Sequence, residues 1–193
     1  MAVKPLSKKD EVLNIAGDIF FRQGFAATGI KQIIETVGIA KGTFYSHYDS
    51  KEELGVAWLR ASNETWNKAM LEIVDKARSP RTKILALFKM MEKWIEASDY
   101  RGCAFLNTLS ELPEPTGLMR AIVREHKESI KAQIVELTIA HFSNKSKAYA
   151  KHKAYVIYLL FEAALVESQN FRESWPVKTA QKELKNILEA VDE

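Results

Sequence analysis

Between Lys41 and Lys51 the chain reads K-G-T-F-Y-S-H-Y-D-S-K, and its polar members are nearly all hydrogen-bond donors. Lys41 and Lys51 carry positive charge, Thr43, Tyr45 and Ser46 carry hydroxyls, His47 carries an imidazole, and Gly42 leaves the backbone bare. Groups of this kind bind rather than react. Cations suit phosphate oxygens, short hydroxyl and imidazole groups suit base edges, and a glycine permits close approach of the backbone. Chemistry of other kinds finds little support. The chain has no G-x-S-x-G, no H-E-x-x-H and no phosphate-cradling glycine loop. Its four His, at 47, 126, 141 and 152, have no compact metal spacing, although His141 and His152 can meet across a loop. No enzyme activity, metal or cofactor is expected.

The donor-rich stretch needs elements to hold it. Ile30, Ile33, Ile34 and Val37 stand at i, i+3, i+4 and i+7, one apolar stripe on a helix of about two turns. Gly38 ends that helix, because glycine takes the left-handed conformation of a sharp corner without penalty. A second short helix is predicted over residues 40–47, with Phe44 and Tyr48 inward and the donors outward. Two short helices joined by a turn containing Gly form a helix-turn-helix, whose second helix enters the DNA major groove. Thr28 is expected to cap the first of the two helices. Thr28 and Lys31, at its start, are placed to add phosphate contacts through backbone N–H groups and charge. Ser50, with Glu53 three residues on, reads as a capping box that opens the next helix.

These residues resemble the TetR family of bacterial transcriptional regulators. Its amino-terminal signature runs through A-x-x-I-F-F-R-Q-G-F-A-A-T, then I-I-E-T-V-G-I-A-K-G-T-F-Y, then S-K-E-E-L, between Val12 and Leu54. Gly29, the pair Ser46-His47, and Tyr48 depart from the family's usual residues. The resemblance implies that Lys41, Tyr45 and Lys51 anchor the recognition helix on phosphates. It further implies a homodimer on a palindromic operator and a small-molecule effector that relieves repression.

Elsewhere the pattern is helical throughout. Helices are predicted over about residues 8–23, 50–78, 80–97, 103–112, 117–142, 147–170 and 176–191, with Ser79-Pro80 opening one and Pro113 and Pro115 stopping another. Residues 1–8, with Lys4, read as a loose arm. The apolar face of the helix from Ser50 drifts from Leu54, Ala57 and Trp58 to Trp66, Met70 and Val74, as in a rod that packs first on one core and then on another. The fold class expected is all-α, about nine helices in total. A helix-turn-helix domain occupies residues 1–50, and a larger ligand-binding and dimerisation domain occupies 51–193.

In that larger domain Trp66, Phe88, Met91, Trp94, Phe105, Met119, His126 and Phe161 lie on the helices that surround the family's usual cavity. Most of these side chains must be plain core. His126 and Glu162 are polar groups on apolar faces: each is either a paired structural residue or a contact that orients an effector. Cys103, after Arg101-Gly102, is either an effector-sensitive thiol or a small packed residue. The apolar run 154–166, interrupted only by Glu162, must be covered on both sides. The dimer surface is therefore placed on Tyr155, Tyr158, Leu159, Glu162, Val166, Leu184, Ile187, Leu188 and Val191, as a four-helix bundle.

Composition sets wide bounds. With 47% apolar and 27% charged residues and a net charge of +3, the chain is an ordinary water-soluble protein, only mildly basic. The excess sits at the front: residues 1–51 hold seven Lys or Arg against five Asp or Glu, and the remainder 21 against 20. Thirteen apolar residues are too few to span a bilayer, no signal-peptide core opens the chain, and one cysteine allows no internal disulfide. No membrane contact and a cytoplasmic location are expected. Two other readings stay open: a regulator or activator that responds through Cys103 alone, and a small-molecule-binding protein with a vestigial helix-turn-helix.

Overall fold

The computed structural model describes residues 7–112 and 117–189. Lys4 and most of the expected arm, Pro113, Pro115 and Val191 lie outside them. The described residues form nine helices and no strand: α1 (Lys8–Gln23), α2 (Ile30–Val37), α3 (Lys41–Tyr45), α4 (Lys51–Lys76), α5 (Pro80–Ala97), α6 (Ala104–Glu111), α7 (Leu118–His141), α8 (Lys147–Phe171) and α9 (Trp175–Glu189). Local signals set most of the boundaries. Ser7 caps α1 by accepting from the Asp10 N–H, and Ser146 caps α8 by accepting from the Tyr149 N–H. At α5, Ser79 and Thr82 exchange hydrogen bonds around Pro80, the first helical residue.

The chain divides into two compact units. The first comprises residues 1–64 and 104–125, and the second 65–103 and 126–193. In the first, Val12, Ala16, Ile19 and Phe20 of α1 meet Phe25, Ile33, Phe44, Tyr48, Leu54 and Leu59 in one core. Gly55 of α4 lets two side chains press on the helix backbone: a Cβ there would meet Phe25 at 2.6 Å and Met119 at 3.0 Å. α6 and the first two turns of α7 belong to this unit, so it exceeds the amino-terminal fifty residues.

In the second unit α8 and α9 pack along each other, and both pack on α5. Val177, Ala180, Leu184, Ile187 and Leu188, the single apolar stripe of α9, are all buried there. Phe88 and Phe161 join α5 to α8 edge to face, with ring centroids 5.2 Å apart. Leading into Cys103, Asp99 and Tyr100 both adopt positive φ, and Arg172 holds Asp99 by an ion pair. No described helix is long and apolar enough to cross a membrane.

Candidate nucleic-acid interface and aromatic cluster

α3 has only five residues, too few to persist alone, so its position is set by what anchors it. Gly38 turns the chain in the left-handed conformation (φ 73°, ψ 39°), and the N–H groups of Gly38 and Ile39 both bond back to the Ile34 carbonyl. Phe44 plugs the core with no exposed surface. One turn later Tyr48 is buried and donates its hydroxyl to the Lys9 carbonyl on α1. Burial, with smaller contributions from Asp10 and Glu53, raises the Tyr48 pKa, which keeps that donor protonated.

The opposite face of α3 is open. Lys41, Gly42, Tyr45 and Ser46 are exposed, and Thr43 and His47 half-buried. Tyr45 is 41% exposed, with the Lys41 ammonium 5.9 Å from its ring centroid. A side chain at Gly42 would meet nothing in the protein, so its own packing does not require the bare backbone there. The Ser46 hydroxyl donates to the Thr43 carbonyl and remains free to accept. No acid interrupts this face.

Two residues assigned to the interface from the sequence, Thr28 and Lys51, are placed differently. Thr28 is 1% exposed. Its hydroxyl donates to the Gly24 carbonyl and its N–H to the Phe25 carbonyl, so it braces the turn before α2, and Gly29 is the capping position. Lys51 turns its ammonium inward, 3.1 Å from the carbonyls of both Phe25 and Thr28 and over the Phe25 ring. Lys31 is exposed at the start of α2, where the sequence put it, with Glu35 one turn on at 3.8 Å. At the start of α4, Ser50 accepts from the Glu53 N–H, while the Glu53 carboxylate reaches the N–H of Asp49, one residue before the position a capping box uses.

The candidate effector residues are divided between the units. Phe105 and Met119 are buried in the first. In the second, Trp66 lies edge-on to both Trp94 (5.4 Å) and His126 (5.9 Å). The Trp66 indole N–H is buried without an acceptor, whereas Trp94 is 40% exposed. Phe88, Met91 and Phe161 are core. Glu162 pairs with Lys127 at 2.7 Å, a partner that no pattern in the sequence singles out, and its other oxygen is buried without a partner. Cys103 is buried just ahead of α6. Burial first, then Glu162 and Cys103, raises the Tyr158 phenol to about 12.

Burial, with a smaller push from Lys127, lowers the His126 pKa from 6.5 to about 3, so the imidazole is neutral. The unfolded chain binds this proton near pH 6.5 and the folded one does not until about pH 3. Stability is therefore lost as pH falls through that window, by roughly 1.4 kcal/mol per unit. Urea denaturation at pH 7.5 and pH 5 is expected to show a loss of about 2 kcal/mol in the wild type that is missing in His126→Gln. Equal losses in both proteins would assign the pH dependence to other groups.

Of the dimer candidates, Tyr155, Leu159 and Val166 are exposed on α8 and Tyr158 is half-buried, while Leu184, Ile187 and Leu188 are spent on the chain's own core. α9 has one apolar stripe, and α5 and α8 fill it. Among the described dimer candidates, those left exposed are on α8.

A short helix held by a glycine corner, with every other described element helical, defines a helix-turn-helix protein. Residues 12–57 match the family described as bacterial regulatory proteins, tetR family. Similar proteins include the HTH-type transcriptional repressor NemR of Escherichia coli strain K12, 21% identical over 185 residues and 93% of each chain. The HTH-type transcriptional repressor KstR2 of Mycolicibacterium smegmatis is 33% identical over 114 residues, 58% of this chain and 56% of that one. The fold matches that of a TetR-family transcriptional regulator from Streptomyces coelicolor with a TM-score of 0.86, at 20% identity and 94% coverage of both chains.

Proposed function

We propose that this protein is a cytoplasmic transcriptional repressor that binds a palindromic operator as a homodimer and is released by a small apolar or electrophilic effector. The observation that carries the reading is the acid-free outer face of α3, with Lys41, Gly42, Tyr45 and Ser46 exposed around a buried Phe44. Two such helices about one DNA turn apart meet successive major grooves. The relatives named as repressors support the sign of regulation. For the effector, the support is the group formed by Trp66, Trp94 and neutral His126, where an indole N–H waits buried for an acceptor. Release requires that the effector prefer the conformation that does not bind DNA.

Selection of bound sequences from random duplex DNA, repeated with hydrophobic and thiol-reactive compounds, tests this directly. A palindrome released by one compound class is the expected result. Enrichment of no duplex would remove the repressor reading. On the selected duplex, Tyr45→Ala is expected to weaken binding about tenfold or more, since it removes a backbone-anchoring group, while stability changes by roughly 1 kcal/mol or less. Unchanged affinity in a titration of this variant would take Tyr45 out of the interface.

A further inference from the structure

α6 lies far along the chain from the helix-turn-helix, yet its last residue reaches into it. Glu111 accepts a hydrogen bond from the Ala26 N–H at 2.6 Å. Its second carboxylate oxygen sits against Gly24, where a Cβ would lie 2.7 Å from it and where φ is 102°. On the same turn the Lys51 ammonium holds the carbonyls of Phe25 and Thr28, and Thr28 closes back on Gly24. The turn at residues 24–28 is thus gripped by an anion from α6 on an N–H and by a cation from α4 on its carbonyls. Two residues later α2 begins, and α2 carries α3 through the corner at Gly38. Where this turn is held, the recognition helix is held.

We infer that Glu111 is a positioning residue for DNA binding: through its bond to Ala26, α6 holds the α1–α2 turn in the geometry that presents α3. The inference rests on the repressor reading and deepens it by naming α6 as the element that governs readiness for DNA. Glu111 is the last residue of α6, so a displacement of that end of α6 is one that pulls a carboxylate off Ala26. The bond has a charged acceptor, which places it among the stronger hydrogen bonds.

The sign of the effect separates positioning from mere charge. Loss of a negative side chain near a phosphate-binding surface raises affinity when charge alone is at stake. Loss of a positioning bond lowers it. Glu111→Ala is expected to weaken binding to the selected duplex about tenfold or more, with the slope of affinity against salt unchanged. Glu111→Gln, which keeps an acceptor oxygen and drops the charge, is expected to bind as tightly as the wild type or tighter. Amide hydrogen exchange supplies a readout that needs no DNA: the Ala26 amide is expected to exchange at least tenfold faster in Glu111→Ala while Ile157 in α8 keeps its protection. Glu111→Ala binding DNA as tightly as the wild type, or unchanged exchange at Ala26, would overturn the inference. If Glu111→Ala does not fold, a folded Glu111→Gln whose Ala26 amide loses protection while the duplex is bound as tightly as by the wild type would overturn it equally. A wild-type protein that selects no duplex removes the repressor reading and the DNA half of this inference with it, while the exchange measurement still decides whether Glu111 holds the turn.

Discussion

Leu159→Asp is expected to yield a folded monomer that has lost its hold on a palindromic duplex. Leu159 is 64% exposed, the most exposed large apolar residue described in the chain. It shares one face of α8 with Tyr155, Ala163 and Val166, at i, i+4, i+8 and i+11, all exposed. A contiguous apolar face of this kind marks an interface. In a two-fold dimer every substitution on it occurs twice, so two carboxylates enter the same desolvated seam, at a cost of several kcal/mol. Sedimentation of the variant is expected to give the monomer mass at concentrations where the wild type is expected to give the dimer mass, with an unchanged circular dichroism spectrum. Operator affinity is expected to fall by about a hundredfold or more, because a monomer engages one half-site alone. A variant that still sediments as a dimer would move the interface off α8.

Phe44→Ala is expected to dissolve the recognition helix rather than weaken one contact. The ring has no exposed surface and lies against Tyr45 and Tyr48, with centroids 5.2 and 6.3 Å away. Truncation of a buried Phe costs about 3–5 kcal/mol. A five-residue helix has no intrinsic stability to offset such a loss. Amide protection across residues 39–48 is expected to collapse and duplex binding to vanish, while residues of α8 exchange as before. Retained protection in α3 would show that Tyr48 and its bond to Lys9 suffice to anchor it.

What was legible in the sequence was what neighbours along the chain decide. The stripe at Ile33 and Val37, the corner at Gly38, the cap and proline at Ser79-Pro80, and the inward Phe44 and Tyr48 all follow from spacing and residue type within a few positions. Thr28 shows the limit. Its hydroxyl suits a helix cap, but Gly24 offers a carbonyl one turn back, and the side chain turns inward to it. Lys51 shows a wider one: at a helix start facing DNA it reads as a phosphate contact, and only the folded turn reveals carbonyls for its ammonium to fill. Glu111 and Ala26, 85 positions apart, carry no mutual signal at all. The α9 stripe was visible, but periodicity does not say whether the covering helix belongs to the same chain.

Gly55 has a mechanical side. A glycine inside a helix costs about 1 kcal/mol relative to alanine and leaves the backbone locally compliant. Here the missing side chain is replaced from outside, by Phe25 and Met119 resting on the backbone. The rigidity of the opening turns of α4 is borrowed from residues that precede and follow it by many positions. It can be withdrawn by moving either of them, with every residue of the helix unchanged.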